Sequence, residues 1–229
     1  LRGFTQTSFV SQKLRGFTQT SFVSQKLRGF TMIEMLVSLA IAGVLMGVII
    51  FSQSRYTDGD QLNSIASDIE IYFRQAQIYG VSVRQFQPGL GNFDVAYGLE
   101  FNITSSGNTG AYLFFGDRGD INPKNKIYDS GFACSVGGNS ECLEKIVIPK
   151  GNSISGLCII YNTGPNDCTI GKLDITFLRP EPNATIVPFD SNGNQLSNLN
   201  VKGAKINLVS PNLTARSVIV YTSGQISIQ

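Results

Sequence analysis

Seventeen consecutive residues without a charge, Met35 to Phe51, constrain this chain more than any other feature. A helix of that length sits at the lower limit for crossing the hydrocarbon of a bilayer. Extending the stretch back to Phe30 gives twenty-two residues but encloses one acid, Glu34. A carboxylate at the bilayer centre costs about 2.5–3.5 kcal/mol on insertion scales, so Glu34 calls for a partner.

What surrounds the stretch is basic on one side only. Residues 1–29 hold Arg2, Lys13, Arg15, Lys26 and Arg28 and no acid, whereas the other 200 residues hold thirteen basic and sixteen acidic side chains. A basic flank stays in the cytoplasm, which places the remainder outside. The cysteines agree: Cys134, Cys142, Cys158 and Cys168 all fall in the outward part. An even number in short local loops suits disulfides in an oxidising compartment. Pairing of neighbours, 134 with 142 and 158 with 168, is the arrangement chosen from three possible connectivities. The rival, a zinc site, fits poorly with gaps of seven and nine residues and a chain without histidine.

Four regions follow. Residues 1–29 form a basic leader in which LRGFTQTSFVSQK (1–13) recurs unchanged at 14–26, and a third copy begins at Leu27. Thirteen polar residues are too few for a solenoid unit, so the copies read as cytoplasmic leader, an expansion or the product of a misplaced start, outside the fold. Residues 30–51 form the apolar helix. Residues 52–80 continue it in amphipathic form, with Leu62, Ile65, Ala66, Ile69, Tyr72, Phe73 and Ala76 at three- and four-residue steps. Thr57-Asp58-Gly59-Asp60 is a candidate kink or interruption, and Gly80 a candidate C-terminal cap. A continuous helix from Phe30 to Tyr79 would be about 75 Å long.

Residues 81–229 read as a β-rich extracytoplasmic domain. Alternating runs between Gly, Asn, Pro and Ser clusters predict antiparallel strands at Phe93–Phe101, Ala111–Phe115, Lys145–Ile148, Lys172–Phe177, Ala204–Val209, Ser217–Thr222 and Gln225–Ile228. Leu173, Ile175 and Phe177 fall on one side of their strand, Asp174 and Thr176 on the other. Gly116 to Gly138 reads as loop, within a long disulfide-bearing insertion from Gly116 to Cys168. The expected class is α+β, a long N-terminal helix packed on one small antiparallel sheet.

Arg28-Gly29-Phe30-Thr31-Met32-Ile33-Glu34 followed by the hydrophobic helix resembles bacterial type IV pilins and type II secretion pseudopilins. The resemblance implies cleavage between Gly29 and Phe30 by a membrane prepilin peptidase, and N-methylation of the new terminal Phe30. It also implies an assembly role for Glu34 at the fifth mature position. Copies one and two depart from the pattern, with Ser8 and Ser21 where the glutamate would stand and no apolar span behind them. Tyr97-Gly98-Leu99-Glu100-Phe101, Ile175-Thr176-Phe177 and the Ser217–Gln229 strand pair look like the minor-pseudopilin (GspH/FimT-type) branch. The implied partners are other pilin or pseudopilin subunits, the prepilin peptidase, and an inner-membrane platform protein with its ATPase. The implied location is a single pass through the inner membrane, N-terminus cytoplasmic and C-terminal domain periplasmic or extracellular, with the mature form in a pilus or pseudopilus.

Physical reasoning gives Glu34 the same role. Its carboxylate can pair with the freed amine of a neighbouring subunit, neutralising both charges in hydrocarbon and setting the register between helices. Gly43 and Gly47 form a Gly-xxx-Gly pair that permits close helix approach. Catalysis is not expected, since the chain has no histidine for the usual base, and no cofactor or metal is expected. Gly89-Leu90-Gly91 lacks the third glycine of a dinucleotide loop. Asp117, Asp120, Asn122, Asn125 and Asp129 are oxygen-rich enough for calcium, but their spacing is not that of an EF-hand, and ordinary turn chemistry is the preferred reading. Arg118-Gly119-Asp120 matches the integrin tripeptide by three residues only. No basic cluster in the outward domain marks a nucleic-acid face. The alternatives to a structural subunit are a tip-located subunit that binds DNA, secreted substrate or a surface through the 116–168 insertion, or a signal-anchored periplasmic domain.

Overall fold

The computed structural model describes residues 29–82, 84–86, 93–105, 107–119, 124–132, 134–135, 140–197 and 200–229, with only the backbone considered at 51–58. The repeated leader with Arg28, the Gly89–Gly91 loop, Asp120 and Asn122 lie outside these residues. The chain divides into two compact units, Leu1–Gly47 and Val48–Gln229.

A single helix, α1, runs Met32–Val81. Thr31 caps it: the Glu34 amide donates to Thr31 Oγ1 (3.3 Å) and to its carbonyl (3.1 Å). The helix is uninterrupted at Thr57–Asp60; a single glycine inside a helix costs only about 1 kcal/mol relative to alanine. Gly80 is not the C-terminal cap. It lies inside the helix, buried, where an added Cβ would come within 2.3 Å of the Phe177 carbonyl oxygen. The Arg179 amide donates to the Gly80 carbonyl (3.0 Å), satisfying one of the orphan acceptors at the helix end. Gly80 is therefore a close-approach residue, at the point where the helix touches the sheet.

Among the described residues ten strands follow: β1 Ala96–Asn102, β2 Ala111–Asp117, β3 Cys142–Val147, β4 Ser153–Tyr161, β5 Asp167–Ile170, β6 Lys172–Leu178, β7 Glu181–Phe189, β8 Val201–Val209, β9 Ala215–Tyr221 and β10 Ile226–Ile228. They form two five-stranded antiparallel sheets, ordered β3-β2-β1-β6-β7 and β10-β9-β8-β4-β5, where one small sheet was expected. The tract 116–168 is not one insertion: β3, β4 and β5 lie in it, and Cys158 sits opposite Lys205 in the β4–β8 ladder.

One apolar cluster joins three layers. Leu62, Ile65, Ala66, Ile69, Phe73 and Ala76 of α1 pack with Tyr97, Leu99, Phe101, Leu173, Ile175 and Phe177 of the first sheet and with Leu157, Ile159, Ile206, Leu208, Val218 and Val220 of the second. Register explains the shared face, since Leu99 lies opposite both Phe114 and Ile175. The first sheet's other face is buried as well. Leu113, Phe115 and Cys142 form a second cluster with Tyr128 from the segment between β2 and β3. Asp174 and Thr176, on the side opposite Leu173, Ile175 and Phe177, are therefore fully buried, not wet.

Candidate functional site

Two places carry chemistry, and each is built locally. The first is the start of α1. Gly29 and Phe30 precede the helix in exposed backbone, with Phe30 78% exposed. Glu34 lies in the first turn, where a negative charge is favoured by the unpaired amides of the helix N-terminus. Thr31-x-x-Glu34 is the residue order of a capping box, of which the threonine half is formed; this signal is legible in sequence and was not drawn from it. The residues Met32–Ile50, Glu34 among them, make one helix long and apolar enough to span a membrane, with none of it buried against other described residues. A helix apolar on all sides needs lipid or other helices around it. A Cβ at Gly43 or Gly47 would meet nothing within 4 Å, so the small-residue face is open.

The second place is the outer face of the first sheet. Glu100 on β1 and Asp174 on β6 are register partners, 1% and 0% exposed. Lys172 reaches both, 3.7 Å to Glu100 Oε1 and 3.3 Å to Asp174 Oδ2, and donates to the Tyr128 carbonyl at 2.9 Å. Asn102 Nδ2 donates to Glu100 Oε1 at 3.3 Å. Burial pushes the Glu100 carboxyl up to about 7 against the downward pull of Lys172 and Asn102. Burial likewise raises Asp174, opposed by Lys172 and reinforced by Glu100.

The segment Lys124–Phe132 is hung on this face by carboxylates. Asp117 Oδ2 accepts from the Lys126 amide (2.6 Å), Asp174 Oδ2 from the Tyr128 amide (3.3 Å), and Glu141 Oε2 from the Asp129 amide (2.9 Å). Glu141 Oε1 accepts from the Arg118 amide (3.4 Å). Burial raises the carboxyls of Asp117 and Glu141 too. This accounts for Asp117 and Asn125 of the oxygen-rich loop: Asp117 holds backbone, and Asn125 binds the Ile127 amide and the Asp129 carboxylate. Arg118 is 3% exposed with its guanidinium 4.8 Å from the centre of the Phe86 ring, so the Arg-Gly-Asp tripeptide presents no accessible arginine.

The cysteines pair as neighbours. Cys134–Cys142 joins this segment's far end to the start of β3, and Cys158–Cys168 crosses from β4 to β5. Glu100, Asp174 and Glu141 were not singled out by sequence reasoning. The available signal was an acid in the middle of a strand-like run, as at Glu100 in Tyr97–Phe101.

A Gly-Phe junction and a capped helix with one early glutamate in a 19-residue apolar span thus stand ahead of a disulfide-bearing antiparallel domain. Residues 25–50 match the family model of the prokaryotic N-terminal methylation motif, which supports the type IV pilin and pseudopilin family for this chain. No curated protein and no solved structure matches it.

Proposed function

We propose that this chain is a minor pilin or pseudopilin: a structural, non-enzymatic subunit of a type IV pilus or type II secretion pseudopilus. It is cleaved between Gly29 and Phe30, methylated at Phe30 and polymerised through its N-terminal helix. The observation that carries the reading is Glu34, the one charge in the Phe30–Phe51 stretch, four residues behind a processing junction. Freed by cleavage, the Phe30 amine of one subunit is the natural counter-ion for the Glu34 carboxylate of the next, and the pair removes two uncompensated charges from hydrocarbon. The basic leader keeps the N-terminus cytoplasmic, and the two disulfides suit the oxidising side, which orients the single pass.

The minor-subunit reading gains support from pairing. Tyr97–Phe101 and Ile175–Phe177, the strands of the weaker resemblance, are direct neighbours with Leu99 opposite Ile175 and Tyr97 opposite Phe177, and β9–β10 closes the chain as a hairpin. The other subunits, the prepilin peptidase, and a platform protein with its ATPase are the partners this reading requires.

Mass spectrometry of the mature protein tests the processing step. A terminal N-methylated Phe30 is expected, and any other first residue overturns it. Glu34→Val is expected to leave cleavage intact and abolish incorporation into filaments. Normal incorporation of that variant would remove the assembly role from Glu34.

A further inference from the structure

Three amides of one short segment, those of Lys126, Tyr128 and Asp129, donate to buried carboxylates in place of a neighbouring strand. We propose that Lys124–Phe132 is a proton-operated strap, fastened to the first sheet while the Glu100–Asp174–Lys172 cluster holds one proton between its two carboxyls, and loosened when that proton leaves.

Charge balance gives the reason. Glu100 and Asp174 face each other across β1 and β6, where like charges repel. Lys172 touches both and neutralises one; a proton is needed to neutralise the other. Without it a net negative charge stays in a dry site, with Glu100 Oε2 and Asp174 Oδ1 lacking any hydrogen-bond partner. Burying an unbalanced charge is costly, and the cheapest relief is to admit water by lifting the cover. That cover is the strap, which contributes the Tyr128 amide to Asp174 and the Tyr128 carbonyl to Lys172.

Among the described residues, the neighbouring cations are engaged elsewhere. β2 puts Leu113 opposite Glu100, and β7 puts Val187 opposite Asp174. Beyond them stand Asp117 on β2, Glu141 and Arg118 at the segment's two ends, and Lys126, the Tyr128 phenol and Asp129 on the strap itself. Arg118 lies over Phe86 and binds the Ser140 carbonyl, and the Lys126 ammonium reaches Thr185. The direction of the effect follows from burial, which holds the Glu100 carboxyl at about 7, above its unfolded value of 4.5. A group raised in the folded state stabilises that state fully below its unfolded value and stops doing so as pH rises through its folded one. The strap is thus held most firmly in mild acid, loosens as pH rises towards about 7, and loosens no further beyond that. Opening frees Tyr128, which is 2% exposed when the strap is closed.

Amide hydrogen exchange read by mass spectrometry, on the full chain in detergent micelles between about pH 4.5 and 9 and corrected for intrinsic rates, tests this. Peptides containing Lys126, Tyr128 and Asp129 are expected to lose protection by up to about tenfold per pH unit as pH rises from 4.5 to about 7, the slope of one linked proton, and to level off above that. Peptides from β8 and β9 are expected to keep theirs. Glu100→Gln has no proton to release at that position, and its strap is expected to lose the part of the slope that Glu100 carries, leaving only what Asp117 and Glu141 contribute. Flat strap protection in the unaltered chain overturns the proposal. So does an equal loss in β8 and β9, or an unchanged slope in Glu100→Gln. Asp174→Asn provides the same test should Glu100→Gln fail to fold.

Discussion

Between Met32 and Ile50 the apolar side chains of α1 stand exposed, whereas between Leu62 and Ala76 the same helix buries one face completely. The more hydrophobic half is the uncovered one. Burial in this chain therefore follows the availability of a complementary surface, not hydrophobicity alone. The second half has only a stripe to hide, and two sheets receive it. The first half is apolar all round, which no single face of a domain can satisfy, so its covering must come from lipid or from copies of itself. One continuous helix thus does two jobs, and the change between them lies in side-chain pattern, not in backbone.

The contrast can be broken most sharply at Phe73. Phe73→Ala removes a fully buried ring whose centre lies 5.9 Å from that of Phe101, and a loss of about 3–5 kcal/mol is expected in urea unfolding of the full chain in micelles, followed by near-ultraviolet circular dichroism. Leu39→Ala, at a position 65% exposed, is expected to leave that transition where it was. Equal losses in both variants would mean that the two halves share one core.

Glycine gives a finer version of the same test. Gly80→Ala forces a methyl against the Phe177 carbonyl and is expected to cost about 1–3 kcal/mol, more than the helix propensity it gains. Gly47→Ala meets no atom within 4 Å and is expected to leave the transition unshifted. Smallest of all is Ile71→Ala, on the exposed side of the second half: 60% exposed, it is expected to change stability by no more than about 0.5 kcal/mol. A larger loss there would show that this face, too, has a partner.

Much of this was readable beforehand, and the exceptions have identifiable causes. The buried stripe from Leu62 to Ala76 followed from helical period, with Tyr72 alone left half-covered, its hydroxyl donating to Glu144. Seven expected strands correspond to β1, β2, β3, β6, β8, β9 and β10 with shifted ends. β4 escaped because Ser153, Ser155 and Gly156 look like a turn, and the ladder does shift register between Ile154 and Gly156. β5 is four residues long with an aspartate and an exposed cysteine in it. β7 carries Pro182 and Pro188, which argue against a strand and are tolerated because β7 is the edge of its sheet. The motif at residues 25–50 was legible because it depends on order along the chain. The Glu100–Asp174 pair was not, because seventy-four residues separate its members.

Local pattern, then, decides α1, its division into an all-apolar and a one-faced half, the polarity of the flanks and the position of Glu34, since each of these depends on residues within a few turns of one another. Alternation also says that Asp174 and Ile175 point to opposite sides. It cannot say what lies on either side. Only the assembled domain decides that both faces of the first sheet are covered, one by α1 and the second sheet, the other by Lys124–Phe132, because strand pairing and coverage are contacts between distant segments. The coverage turns two ordinary acids into a buried, lysine-bridged pair, and makes Gly80 a point of contact with β6 where its place after a helical run suggested a cap.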